Sequence, residues 1–266
     1  KKEKIAFCGY HGWHDWYLAA NLQNSSNLNK QLLPGLKTDG VSKSFKGSVI
    51  PFFYNNINSL KSIFSKNKNK VGIVIMEPMR ESKPKNGFLK KVRKLAKKNN
   101  CILIFDEITS GFKENYGGLH LNFKVNPDIA IFGKALGNGY PISAVIGKKK
   151  IMNVAQDTFI SSTMWTERLG FIAAIETLKK MKKLKVQKKM VNYGRLIKKN
   201  WIYLAKKNKL NISIYGLDAM PSFKFNYKNN NEISTYFTQE MLAKGYLANT
   251  SITITNSYNY KIIKKY

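Results

Sequence analysis

Acidic residues are scarce in this chain: 15 Asp and Glu stand against 46 Lys and Arg in 266 residues, a formal charge of +31. That balance favours non-specific attraction to polyanions. Arginine is scarce too, since the basic residues are almost all lysine, whereas groove readers and phosphate clamps lean on arginine forks. The lysines are spread along the whole chain, with an Asn and Ile richness typical of drift toward A/T-rich codons. Their densest runs, 90–98 and 179–189, alternate with apolar residues at helical spacing, as on solvated helix faces. A dedicated nucleic-acid function is therefore not expected. There are two cysteines, Cys8 and Cys101, with no CxxC spacing and no clustered histidine. No disulfide framework or metal site is expected, only two reduced core thiols in a cytoplasmic protein. No apolar run approaches the ~18 residues of a membrane span, and the first residues lack the apolar core of a signal peptide. There is no initiator methionine and no evident C-terminal cap, so both ends are expected to be cuts in a longer sequence.

What is present is an alternation of apolar runs and helical patterns, with 43% hydrophobic residues to build a core. A strand is predicted over 4–8, then the turn Gly9-Tyr-His-Gly12 and a helix over 13–20. The polar connection 21–48 is long, and long ordered loops in enzymes are often functional. A strand over 49–54 and a helix carrying Ile57, Leu60, Ile63 and Phe64 follow. The clearest section is an apolar strand over 71–76 ending at Glu77-Pro78. A helix with Phe88, Leu89, Val92, Leu95 and Ala96 comes next, then a second apolar strand over 101–105 ending at Asp106-Glu107. Strands apolar on both faces, joined by a helix, indicate a parallel sheet covered by helices. Beyond a loop over 112–125, a strand over 128–132 stops at Gly133-Lys134, and an apolar run over 142–146 follows. One helix face carries Leu169, Ile172, Ala173, Ile175 and Leu178; a second helix runs from Val186 past Trp201. Strands are predicted over 211–215, 222–227 and 246–255, with a helix over 233–242 closed by Gly245. The expected fold class is α/β, a mostly parallel central sheet flanked by helices. Residues 1–205 form a large domain and 206–266 part of a small α/β domain.

Glu77, Asp106 and Lys134 thus fall at the carboxyl ends of predicted strands, the edge where open α/β sheets bind ligands. A lysine at a buried strand end, with glycines beside it, can lose solvation and become a nucleophilic amine. The alternative is one more solvated lysine. Asp106, if buried, needs a partner. Lys134, 28 residues on, could supply it as a structural ion pair. Equally, the carboxylate could hold a pyridinium nitrogen while the lysine forms a Schiff base with an aldehyde. Spacing alone leaves both open.

The segments Ile104-Phe-Asp-Glu-Ile-Thr-Ser-Gly-Phe112 and Pro127-Asp-Ile-Ala-Ile-Phe-Gly-Lys-Ala-Leu-Gly-Asn-Gly-Tyr-Pro141 closely resemble class III aminotransferases, which use pyridoxal 5'-phosphate (PLP) on the fold-type-I (aspartate-aminotransferase-like) architecture. Tyr10-His-Gly12 and Glu77-Pro78 match the family in order and spacing, and the resemblance holds well over residues 4–180. It implies that Lys134 is the Schiff-base lysine and proton shuttle, and that Asp106 binds the pyridinium nitrogen. It places Ile108 and Tyr10 on the two ring faces, His11 beside the ring and Glu77 near the substrate. Thr163 aligns with the threonine that reaches the cofactor phosphate of a neighbouring subunit, which implies a homodimer with a shared active site. Arg80 and Arg168 are candidate clamps for an anionic substrate group, or members of structural ion pairs.

Two departures stand out. The family's phosphate-gripping loop would lie upstream of residue 1. Where the glutamate-1-semialdehyde aminomutase branch carries Gly-Asn-Pro after the threonine, this chain reads Trp165-Thr-Glu-Arg168, resembling instead an aminomutase-like branch found with surface-sugar genes. The expected activity is amino transfer between a small-molecule amino donor and a carbonyl acceptor, without metal. The alternatives are intramolecular exchange as in the aminomutases, a lysine-rich nucleic-acid binder, or an inactive remnant.

Overall fold

A computed structural model describes residues 2–266. In chain order, strand β1 (Lys4–Cys8) precedes two short helices, α1 (Asp15–Leu18) and α2 (Ala20–Gln23), where the sequence predicts one. Then come β2 (Val49–Pro51), α3 (Ile57–Lys66), β3 (Val71–Met76), α4 (Phe88–Lys98) and β4 (Ile102–Asp106). Strand β5 (Ile129–Phe132) is followed by β6 (Ala144–Gly147), α5 (Lys149–Met152), α6 (Arg168–Leu184) and α7 (Val186–Lys207). The chain ends with β7 (Ile212–Tyr215), β8 (Ser222–Phe225), α8 (Asn230–Ala243) and α9 (Tyr260–Lys265).

The main sheet has the order β2-β1-β3-β4-β5-β6. All its pairs are parallel except β5 with β6. Alternation along the strands decides the layers. Ala6, Cys8, Val74, Met76, Leu103 and Phe105 face α3 and α4, whose Leu60, Ile63, Leu89 and Val92 complete that core. Phe7 and Ile75 point the other way, into a core closed by Tyr17, Ala20 and Leu28. Both cysteines are buried free thiols. Helix starts follow side-chain chemistry: Asn56 Oδ1 accepts from the Ser59 amide at 3.2 Å, and the Glu167 carboxylate accepts from the amides of Leu169 and Gly170 at 2.9 and 3.2 Å.

Beyond α6 a second core forms. Val186, Met190, Ile197 and Trp201 of α7 pack with Phe223, Phe225, Ile254 and Ile263, so α7, expected to close the first domain at 205, shares its core with the residues after it. The strand predicted over 246–255 is not formed. This segment makes only an isolated bridge, Ser222 to Ser251, because the Asn249 side chain turns the chain by accepting from the Ser251 amide at 2.8 Å. Helix α6 also departs from expectation. Its apolar face exists, yet Leu169, Ile172 and Ile175 are 61%, 56% and 51% exposed; among the described residues nothing covers them. Among the described residues no helix is long and apolar enough to cross a membrane, and no cluster of metal-binding side chains occurs.

Asp128, at the entrance to β5, ties the sheet together. Its buried carboxylate accepts from the Leu103 amide at 2.8 Å, from Arg93 at 2.7 Å and from Lys148 at 2.6 Å. Burial alone would raise its pKa; the Leu103 amide, Lys148 and Arg93 more than offset this and hold it below the usual carboxylate range. A depressed folded-state pKa stabilises the fold above the ordinary aspartate value, and that stability is lost as pH falls through the depressed one. Asp128→Asn is expected to cost about 2–3 kcal/mol at pH 7. Urea unfolding at pH 7 and pH 3 should show the deficit shrinking at the lower pH; a deficit independent of pH would refute the charge argument.

Candidate active site

Four adjacent parallel strands, β1, β3, β4 and β5, deliver their carboxyl ends to one edge of the sheet. The turn Gly9-Tyr10-His11 leaves β1, Glu77 ends β3, Asp106 ends β4, and Lys134 follows β5. Asp106 pairs in register with Ile131, so Lys134 lies three residues past its neighbour on a strand about 4.8 Å away.

Asp106 is buried, and its two oxygens have separate partners. Oδ2 accepts from His11 Nδ1 at 2.9 Å and Oδ1 from the Ile108 amide at 3.1 Å. A carboxylate only accepts, so Nδ1 carries the proton of this hydrogen bond. The His11 Nε2 is buried without a hydrogen-bond partner among the described residues. The imidazole is walled by aromatics: Trp16 stacks on it at 6.2 Å between centroids, and the Tyr17 ring edge lies at 6.1 Å. Tyr10 stands beside them, edge-on to Trp13 and Tyr17 at 5.5 and 5.8 Å.

Lys134 takes the left-handed backbone conformation, with φ of 43°, an uncommon choice for a long side chain. Strain of this kind concentrates at functional positions. Its Nζ donates to Thr109 Oγ1 at 2.7 Å. Two expectations change here. Lys134 is exposed, because β5 ends at Phe132 and the chain turns outward, so the amine has not lost its solvation. The structural ion pair between Asp106 and Lys134 is not formed, since His11 occupies the carboxylate. Ile108 lies next to Lys134: a Cβ added at Gly133 would sit 3.5 Å from Ile108 Cγ2.

Glu77 is buried, and burial pushes its carboxyl above the usual range despite the opposing charge of Arg80. Its Oε2 accepts from the Tyr10 amide at 3.1 Å and lies 3.8 Å from Arg80 Nη1. Gly9, with φ of 105°, is required here, because a Cβ would fall 2.5 Å from that same oxygen. Arg80 also donates to the Gln31 carbonyl at 2.9 Å. Thr163 and Arg168 are exposed, on the turn before α6 and at its first residue; they do not join the Asp106–Lys134 cluster within this chain.

The structure adds residues that sequence reasoning missed. Thr109 holds the lysine amine, and Trp16 covers His11. Gln31, from the long polar connection, accepts from the Gly9 amide at 2.8 Å and donates to the Phe52 carbonyl at 3.0 Å. Glu107, fully buried, accepts from Ser110 Oγ and, at 2.8 Å, from His120 Nδ1, which fixes the turn carrying Ile108 and Thr109. The length of the 21–48 connection was the only signal for Gln31. For the others residue type alone carried none.

The donor set fits PLP. A buried carboxylate oriented by an imidazole and an amide, with no cation beside it, suits a protonated ring nitrogen. A primary amine at the next strand end suits an aldehyde. Tyr10 and Ile108 are apolar surfaces for a flat ring.

Residues 1–258 match the family model for class-III aminotransferases. The chain is 33% identical over 231 residues to 3-aminobutyryl-CoA aminotransferase of Cloacimonas acidaminovorans (strain Evry), covering 84% of this chain and 52% of that protein. It is 30% identical over 234 residues to glutamate-1-semialdehyde 2,1-aminomutase of Methanococcus vannielii, covering 85% and 53%. The chain thus spans about half the length of the curated relatives it matches. Among solved structures, FumI of Sphingopyxis sp. MTA144, in its PLP internal aldimine form, superposes with a TM-score of 0.87 at 20% identity, over 99% of this chain and 62% of that one. An omega-transaminase from Sphaerobacter thermophilus gives 0.86 at 16% identity, over 99% and 66%.

Proposed function

This chain belongs to the class-III aminotransferases, and on that premise we propose that it moves an amino group between a small-molecule donor and a carbonyl acceptor, with PLP at the edge formed by β1, β3, β4 and β5. The observation that carries the reading is the pairing of Asp106 with His11 next to the strained Lys134. PLP, when bound, supplies the aldehyde that captures an amine and the ring that accepts the electron pair left when the substrate Cα loses its proton.

The residues of this chain do the rest. Asp106 would hold the proton on the ring nitrogen, and His11, 2.9 Å away through Nδ1, aims the carboxylate. Lys134 would hold the cofactor through its amine and, as a free amine, would move the proton taken from the substrate Cα. Thr109 Oγ1, the acceptor for Nζ, fixes where that amine waits. Tyr10 and Ile108 would bracket the ring, and Trp16 and Tyr17 wall the His11–Asp106 pair off from water. Glu77 stands on the substrate side with its charge disfavoured by burial. Arg80 can serve an anionic substrate group only by leaving Glu77 and the Gln31 carbonyl. Arg168 makes no ion pair among the described residues and is the freer of the two.

The test uses purified protein expressed with whatever chain flanks these 266 residues. It is supplied with PLP, glutamate as donor, and a panel of acceptors containing a keto sugar nucleotide and simple keto acids. Turnover that requires an external donor supports transamination. Conversion of glutamate-1-semialdehyde without any donor would identify the aminomutase reaction, and no turnover with a visible band lacking would reject both.

We further propose a homodimer, with Thr163 reaching the cofactor phosphate of the partner. Support comes from large apolar residues left exposed on β6, on the segment carrying Thr163 and on α6, namely Ile146, Phe159, Trp165, Leu169, Ile172 and Ile175. Exposed apolar side chains at helix spacing, as Leu169, Ile172 and Ile175 are on α6, suit an association surface. Ile172→Glu combined with Ile175→Glu is expected to weaken self-association about 100-fold or more. Sedimentation equilibrium reads this directly; a wild-type monomer at micromolar concentration would sink the dimer.

A further inference from the structure

The cleft beside Lys134 contains a second lysine. Lys113 ends the turn that begins at Ile108, with its amide donating to the Ser110 carbonyl at 3.2 Å. Together with Lys134, Asn138, Gly139 and Tyr140 it lines an open cleft of about 460 Å³. Lys113 is half-buried. Among the described residues neither ammonium takes part in an ion pair. Lys113 also borders a larger groove against α6, whose carboxylate, Glu176, is already paired with Lys179 at 2.7 Å. Burial, together with the nearby charge of Lys134, pushes the Lys113 ammonium below the usual lysine range.

A half-buried ammonium with no acidic partner is poorly solvated, and an anion entering the cleft beside Lys113 relieves it. Surface lysines elsewhere on the chain reach water freely and gain little from pairing; here partial desolvation makes the gain larger. Resting on the aminotransferase reading, we propose that Lys113 is a specificity-determining residue that binds an oxyanion, carboxylate or phosphate, carried by the substrate into the cleft beside Lys134. The strongly positive chain would steer such a substrate toward the cleft. Lys113 thereby differs from Arg80, which is already engaged, and from Arg168, which is on α6.

The experiment compares wild type, Lys113→Met and Lys113→Arg, with glutarate and inorganic phosphate as probes in titration calorimetry. Methionine keeps the length of the side chain without its charge, and matched melting temperatures confirm folding. Lys113→Met is expected to weaken one probe about tenfold, with Lys113→Arg close to wild type. A loss confined to glutarate identifies a carboxylate, and a loss confined to phosphate a phosphate ester. In turnover, KM of the anionic substrate should rise by a similar factor while kcat stays within about threefold. Equal binding of both probes to wild type and Lys113→Met overturns the proposal. The visible band with PLP is read in the same samples. If it forms while the probes fail to discriminate, the oxyanion site falls and the aminotransferase reading stands. If the band is absent while the glutarate difference persists, the reverse holds.

Discussion

Lys134→Ala is expected to lower amino transfer about 10⁴-fold and to remove the visible absorption band that wild-type protein shows with PLP. On the proposed reading two functions would be lost together, the covalent anchor and the base for the substrate Cα proton. The chain is a demanding setting for this test, because nearly every other basic residue is also a lysine. What singles out Lys134 is its place. It follows a strand end in a left-handed conformation with φ of 43°, and its amine is held on Thr109 at 2.7 Å. Lys113 shares the cleft, so Lys113→Met is the control and should keep the band. Lys134→Arg should fail as fully as alanine, since a guanidinium stays protonated and adds poorly to an aldehyde. A band that survives in Lys134→Ala would assign the anchor to another lysine and undo the site as described.

Asp106→Asn is expected to slow turnover about 10²- to 10³-fold with little change in stability. An opposite charge close to a ring nitrogen raises its pKa by about 1–3 units, and one unit of that support is about 1.4 kcal/mol. Asparagine matches the shape and can still accept from the Ile108 amide, so the fold should tolerate it. It cannot hold a proton on the ring nitrogen, and it changes what His11 Nδ1 donates to. Asp106→Ala should be worse on both counts, leaving a buried imidazole nitrogen and a main-chain amide unpartnered at about 1–3 kcal/mol. Rates at saturating donor, read beside melting temperatures, separate the two effects. Asp106→Asn within threefold of wild type would mean that Asp106 only orients His11.

The strands of the main sheet were legible because each is a short apolar run ending in a polar or glycine residue. Val71–Met76 is read from the sequence with its boundaries intact, and burial on both faces leaves such a run few other solutions. The strand expected over 246–255 was misread: Ile252 and Ile254 pack into the second core, Leu247 stays exposed, and Asn249 turns the chain. Helix α6 was read correctly as amphipathic, yet a sequence pattern records only that a face is apolar and says nothing about what covers it.

The sequence by itself determined the α/β architecture, the strand ends carrying Glu77, Asp106 and Lys134, and the resemblance that names the family. Tertiary structure alone decided the partners. His11 and Asp106 are 95 residues apart in the chain and 2.9 Å apart in space. With that bond the Asp106–Lys134 ion pair, one of the two readings that spacing left open, is not formed. It also took the fold to bring Gln31 under Gly9, Thr109 under Lys134, and Lys113 into the same cleft. The reason is physical. Period and composition encode how a segment buries itself, whereas a hydrogen bond between distant strands depends on sheet order, register and the direction in which each strand end turns.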